Sequence, residues 1–202
     1  MFSRIKRHLD NILNSDPAAR SYLEVMLLYP SVHAVAAYRV SHFLYEHKFF
    51  FMARLISQTS RLFTGIEIHP GATIGHALFI DHGMGVVVGE TTIIGDYVTI
   101  YQGATLGGTG KDTGKRHPTI GDRVVIGAGA KILGPIHIAA GSKVGAGSVV
   151  LKDTKTESTA VGIPARVIGG VDRAIIPIET VRIKKEQYDQ TEKYEIYNDM
   201  II

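Results

Sequence analysis

Histidine is the side chain best suited to moving protons near neutral pH, and the chain carries nine. His8, His33, His42 and His47 fall in an N-terminal stretch of helical pattern, where packing accounts for them. His69, His76, His82, His117 and His137 fall further on, in a region of short repeats. His82 is set apart by its surroundings, Ile80-Asp81-His82-Gly83-Met84-Gly85, where two glycines strip bulk from its flank and leave room for a ligand. An imidazole there could act as a general base if a carboxylate fixed its tautomer and stabilised its charged form. Asp81 is adjacent but tends to point to the opposite side of an extended chain. Glu67, fifteen residues back, could approach around a corner, and the sequence leaves both open. The stretch 107–118, GGTGKDTGKRHP, adds Lys111, Lys115, Arg116 and His117. Arg116 could clamp a carboxylate through paired hydrogen bonds. Backbone N–H groups laid open by Gly107, Gly108 and Gly110 suit a phosphate or a thioester oxygen. No metal site is expected within one chain: no two histidines are eighteen residues apart, the spacing that would stack them on successive coils, and there is no cysteine.

The elements that must hold these residues are written in a six-residue period. Aliphatic or small residues recur at Ile68, Ile74, Ile80, Val86, Thr92, Val98 and Ala104, and the phase resumes at Ile120, Ile126, Ile132, Ile138, Val144 and Val150. Six is neither the 3.6 of a helix nor the 2 of a plain strand. It fits a parallel β-helix with one hexapeptide per flat face and three faces per coil, its coils stacked about 4.8 Å apart over an aliphatic column. The two runs are sixteen residues apart where six are due, so ten residues are expected to leave the coil as a loop, and loops on a rigid scaffold often carry function.

Ahead of the coil, residues 1–14 read as a basic amphipathic helix with Ile5, Leu9, Ile12 and Leu13 on one face. Ser15-Asp16-Pro17 reads as the start of a helix running to Tyr29, where Pro30 stops it. Two more helices are expected, over residues 31–45 and 49–63. The first has a small-residue face of Ala34, Ala37, Tyr38, Ser41 and Leu44. Phe49, Phe50 and Phe51 are expected to lid the first coil, a membrane-surface patch being the other reading. Residues 171–202 lack the hexapeptide phase and read as a mobile tail that ends, unusually, in Met200-Ile201-Ile202.

Composition bounds the function classes. The 202 residues carry 45% hydrophobic side chains, 22 glycines, no cysteine and a net charge of +3. Disulfides and thiolate metal sites are excluded. The modest positive charge, without a basic run or basic-aromatic stripe, argues against nucleic acid and suits a small polyanion. No secretory signal or membrane-spanning segment is read, so the cytoplasm is the default compartment.

The runs GIEIHPGATIG, IDHGMGVVVGET, GATLGGTGKDTGKRHPTIGD, IGAGAKILG, VGAGSVVL and VGIPARV together resemble the serine O-acetyltransferases, the first enzymes of cysteine synthesis from serine. The resemblance spans residues 16–169. It implies an α+β fold: a helical N-terminal domain (1–64), a left-handed parallel β-helix of hexapeptide repeats (65–169) and the tail (170–202). It implies acetyl-CoA as co-substrate, with no permanently bound cofactor, in a groove between neighbouring chains of a homotrimer. Longer members double to hexamers; this chain starts late, which favours the trimer. His82 would be the general base. Glu67 stands where the family usually has aspartate, which puts the histidine–carboxylate geometry in question. Asp16, Asp81, Arg116 and His117 match positions holding the amino acid, and His117 is carried also as a catalytic candidate. Gly108, Thr109, Ala128, Gly129, Lys143 and Ala146 match contacts to CoA, Lys143 suiting a phosphate. L-Cysteine would compete with L-serine as a feedback inhibitor, and a terminal Ile202 would enter the active site of cysteine synthase. An acetyltransferase acting on a sugar or other hydroxyl is the alternative. A scaffold regulating cysteine synthase is a third reading, against which the intact His82 argues.

Overall fold

The structure, a computed structural model, describes residues 2–110 and 113–171. It opens with four helices: α1 (Phe2–Ser15), α2 (Tyr22–Leu28), α3 (Pro30–Glu46) and α4 (Phe50–Thr64). The expected helix start at Ser15-Asp16-Pro17 is instead a helix end. The Asp16 N–H still donates to the Ile12 carbonyl, which completes α1, and the Asp16 carboxylate turns back to accept from the Ala18 N–H at 2.8 Å. The start of α2 lies at Ser21, whose hydroxyl accepts from the Glu24 N–H, while the Glu24 carboxylate reaches back to the Arg20 N–H. Ser21 and Glu24 stand three residues apart, the spacing of a capping box.

Each coil of the left-handed parallel β-helix takes three short strands. The first holds β1 (Glu67–Ile68), β2 (Thr73–Ile74) and β3 (Phe79–Asp81). The second holds β4 (Val87–Val88), β5 (Ile93–Ile94) and β6 (Thr99–Tyr101). The third holds β7 (Thr105–Gly107), β8 (Thr119–Ile120) and β9 (Val125–Ile126). Then come β10 (Lys131–Leu133), β11 (His137–Ile138) and β12 (Lys143–Val144), and β13 (Val149–Val150). Strands of successive coils pair in parallel into three faces, β1-β4-β7-β10-β13, β2-β5-β8-β11 and β3-β6-β9-β12. The third face ends in a hairpin the sequence reading did not foresee, β14 (Thr156–Gly162) antiparallel to β15 (Ala165–Val171).

Register corrects the count of the repeat. Ile68 stacks on Val88, Ile80 on Ile100 and Val88 on Leu106, so the strand-borne column runs Ile80, Val88, Ile94, Ile100, Leu106, Ile120. Val86, Thr92, Val98 and Ala104 are also buried, but each lies two residues ahead of that column, at a corner. These hexapeptides bury both positions, so spacing alone cannot tell one column from the other. The consequence is functional. Ile80 and Val88 are eight residues apart, so two of the ten surplus residues sit at the His82 corner and eight, not ten, leave at the loop.

The open end of the coil is closed by α3 rather than by the phenylalanines. Phe49, Phe50 and Phe51 are exposed, at 60%, 55% and 78%, whereas Ala34 and Tyr38 are buried against the first coil. The small side chains of α3 let its backbone come close enough for polar contacts to free carbonyls. Tyr38 donates to the Ala72 carbonyl at 2.6 Å, Arg39 to Ile74 at 2.9 Å, and Ser57 of α4 to Ile68 at 2.7 Å. On the third face, Leu9 and Ile12 of α1, Val25 of α2 and Phe79 of β3 form a second apolar cluster, and Asn11 donates to the Ala77 carbonyl at 2.8 Å. This cluster fixes the end of α1, and so the place of Asp16.

The docking of α1 carries a pH dependence. The Nε2 of His8 is buried without a hydrogen-bond partner. Burial, and then the positive charge of Arg39, hold its pKa down at about 4 against an ordinary 6.5. The fold therefore holds the neutral ring, and the unfolded chain takes up a proton first. Stability from this residue is complete above pH 6.5 and is lost as pH falls toward 4, by about 3 kcal/mol in all. His8→Phe should flatten the acid side of a plot of melting temperature against pH.

Candidate active site

Three corners join the faces, and the candidate residues gather at two. At the corner leading from the third face to the first, Asp81 ends β3 in register with Tyr101, and His82 follows with φ +56°. His82 is exposed to solvent. Gly83, at φ +74°, is buried behind it, and a Cβ there would stand 2.5 Å from the Ile66 side chain. The two surplus residues thus form a bulge that only a missing side chain lets fold inward. On later coils the same corner is a strip of Gly103, Ala128-Gly129 and Ala146-Gly147, with open space beside Gly129 and Gly147. Such a strip admits a long flexible chain against bare backbone. Three of the expected CoA contacts, Ala128, Gly129 and Ala146, belong to it. Lys143 is exposed at the start of β12, on the third face.

A pair of carboxylates lies beside His82. Asp16, carried there by α1, accepts from the Ala18 N–H on Oδ1 and from the Tyr29 hydroxyl on Oδ2, at 2.8 and 2.5 Å. Burial raises the Asp81 carboxyl above its ordinary pKa; the nearby His82 opposes this and the negative charge of Asp16 adds to it. Burial also raises the Tyr29 and Tyr101 hydroxyls, and both carboxylates push them further. Two acids with two tyrosine hydroxyls near them suit a cation such as an ammonium. Sequence reasoning found both aspartates and missed both tyrosines. Tyr101 stacks on Asp81 only because this coil has twenty residues, where a regular count of eighteen points to Thr99. Nothing in the spacing marks Tyr29.

The second cluster stands at the corner between the first and second faces. Arg116 pairs with Glu90, which also accepts from the Tyr45 hydroxyl at 3.0 Å. Burial works to raise the Glu90 carboxyl, but the hydrogen bonds from Arg116 and Tyr45 outweigh it and keep the group below its ordinary pKa. His117 is buried with its ring over Gly89, where a Cβ would fall 2.0 Å from the ring. Its Nδ1 accepts from the Thr91 N–H at 3.2 Å, so the ring hydrogen sits on Nε2. Burial, then the charge of Arg116, lower its pKa and keep it neutral. The anchors Glu90 and Thr91 escaped the sequence reading. Gly108 lies against Arg116, and Thr109 lies near Gly134. Lys115 is taken up by the Thr91 and Pro118 carbonyls.

Glu67 begins β1 on the first face. Its carboxylate is gripped from α4 by Arg54 at 3.1 Å and Arg61 at 3.2 Å, with Gln58 donating at 3.3 Å. Among the described residues no hydrogen bond joins the His82 imidazole to Glu67 or to Asp81; the Asp81 carboxyl is met instead by the backbone of His82. Lys111 and Ile202 lie outside the described residues. Within one chain, then, Asp16, Asp81 and His82 meet at one corner, and Arg116 and His117 meet at another.

A stacked hexapeptide coil with a solvent-facing histidine at an enlarged corner, next to a strip of glycine and alanine, is the architecture of a hexapeptide-repeat acyltransferase. Residues 117–152 match the family described as bacterial transferase hexapeptide (six repeats). The serine acetyltransferase of Bacillus subtilis is 62% identical over 167 residues, covering 83% of this chain and 77% of that protein. The solved soybean serine acetyltransferase complexed with serine superposes with a TM-score of 0.80 at 47% identity, covering 82% of this chain and 68% of that one. Serine acetyltransferase structures in complex with CoA and with cysteine superpose at TM-scores of 0.78 and 0.81, with 38% and 40% identity. They cover 82% and 83% of this chain and 69% of each of those chains. The chain belongs to the serine acetyltransferase family and is an enzyme of that class.

Proposed function

We propose that the protein moves the acetyl group of acetyl-CoA directly to the hydroxyl of L-serine, with His82 as general base, giving O-acetyl-L-serine for cysteine synthesis. The observation that carries this reading is the exposed imidazole of His82 between the Asp16–Asp81 pair and the glycine strip. The carboxylates take the substrate ammonium, and the pantetheine arm of CoA lies along Gly103, Gly129 and Gly147. His82 removes the hydroxyl proton as the serine oxygen attacks the thioester carbonyl. Collapse of the tetrahedral adduct breaks the C–S bond, and the imidazolium returns its proton to the thiolate. Glu67, held on the first face by Arg54 and Arg61, is the candidate carboxylate to support the imidazole.

The substrate carboxylate needs Arg116, with His117 offering its Nε2–H beside it. Because those two stand at a different corner from His82, the reading requires a homotrimer in which the loop corner of one copy faces the His82 corner of the next. Residues 1–64 then supply Asp16, residues 65–169 the remaining groups, and Gly108 and Thr109 close over CoA from the neighbour. L-Cysteine carries the same ammonium and carboxylate with a thiol in place of the hydroxyl, so it competes for the same groups. The solved complexes of relatives with serine, cysteine and CoA support this assignment.

The test is CoA release with L-serine, repeated with L-cysteine and with simple sugars as acceptors. Turnover on serine is expected, with cysteine raising the apparent KM and leaving kcat unchanged. Turnover on a sugar without turnover on serine would overturn the reading in favour of the other acceptor class.

A further inference from the structure

Asp16 can share an ammonium with Asp81 only if its carboxylate is held in one orientation. Asp81 is half-buried, and the negative charge of Asp16 adds to the upward push of burial on its carboxyl. The turn fixes only one oxygen of Asp16, through the Ala18 N–H. The other oxygen is fixed by Tyr29, whose hydroxyl donates to it at 2.5 Å.

Tyr29 is well placed to be rigid. It is the residue between α2 and α3, with its N–H on the Val25 carbonyl and its own carbonyl accepting from the Val32 N–H. Pro30 begins α3 directly after it, which limits the backbone of Tyr29 to extended angles, φ −89° and ψ 112°. Its ring packs at the edge of the cluster of Leu9, Ile12, Val25 and Phe79. The ring thus docks the helices while the hydroxyl is free to serve the site.

We propose that Tyr29 is a positioning residue of the amino-acid subsite: its hydroxyl orients the Asp16 carboxylate, so that the Asp16–Asp81 pair receives the substrate ammonium. The inference rests on the serine reading above and adds to it a residue that touches Asp16 and no reacting atom. Losing a hydrogen bond to a charged group should weaken the pair's hold on the ammonium and leave proton transfer at His82 alone.

Tyr29→Phe is expected to raise the KM for L-serine about tenfold, with kcat within about twofold of wild type and the KM for acetyl-CoA unchanged. The inhibition constant for cysteine should rise in parallel. In an Asp16→Asn background, Tyr29→Phe should add little, because the charged carboxylate it serves is gone. A purely structural residue would lower the melting temperature and act equally in both backgrounds. An unchanged serine KM, or an effect that adds in full to Asp16→Asn, overturns the proposal. If the Phe variant fails to fold, 3-fluorotyrosine at position 29 keeps the ring and changes only the hydroxyl, and an unchanged serine KM there overturns the proposal. A wild-type enzyme that does not acetylate serine would refute the serine reading itself. A wild-type enzyme sensitive to Asp16→Asn and indifferent to Tyr29→Phe would refute only the role of Tyr29.

Discussion

Replacing His82 by Ala should lower kcat with L-serine by about two to four orders of magnitude, the range by which a positioned general base accelerates proton transfer. The KM for serine and for acetyl-CoA should move little. The ammonium is held by Asp16 and Asp81, and the CoA strip is backbone, so neither loses a contact. The fold should not suffer either, because the ring is exposed and the bulge is shaped by Gly83 behind it. Neighbouring carboxylates divide by the same logic. Asp81→Asn removes part of the cation pocket and should appear mainly in KM. Glu67→Gln should appear in kcat if Glu67 supports the imidazole, and in melting temperature if it only binds Arg54 and Arg61. Steady-state kinetics on the three variants, beside their melting curves, separate these outcomes. An unchanged rate in His82→Ala would remove the base from the mechanism.

Mixing two inactive chains should restore activity. His82→Ala loses the base and Arg116→Ala loses the carboxylate clamp, so each alone should be nearly inactive at serine well below KM. If a site takes His82 from one copy and Arg116 from the next, co-expressed chains in equal amounts should leave about a quarter of the sites intact in random trimers. If one chain supplied both residues, no mixed trimer would contain an intact site. The corners make the prediction sharp. His82 stands between the third and first faces and Arg116 between the first and second, and Glu90 holds Arg116 at its own corner. Recovery no greater than the sum of the separate activities would place both residues in one chain and end the composite site.

The six-residue spacing was enough to specify three faces and an apolar interior, because a side chain every sixth position has no other way to stay out of water. The run from Ile120 to Val150 needed no correction. The glycines around His82 also marked it in the sequence, since two missing side chains beside a titratable group are a local signal. Other features depend on contacts between residues far apart. The surplus residues could not be divided between bulge and loop, because Val86 and Val88 are both aliphatic and both buried; only the stacking of Val88 on Leu106 chooses between them. Ser15 and Ser21 are equally good caps by residue type, and the packing of Ile12 against Phe79 determines which helix ends where. The phenylalanines at 49–51 had the hydrophobicity for a lid, but the small face of α3 comes closer to the coil. Tyr29 reaches Asp16 through the fold of three helices, and the two corners lie apart because coil geometry separates them. The sequence determined what kind of residue each place needs. Tertiary structure decided which residues meet, because burial is shared among elements that no single stretch of chain contains.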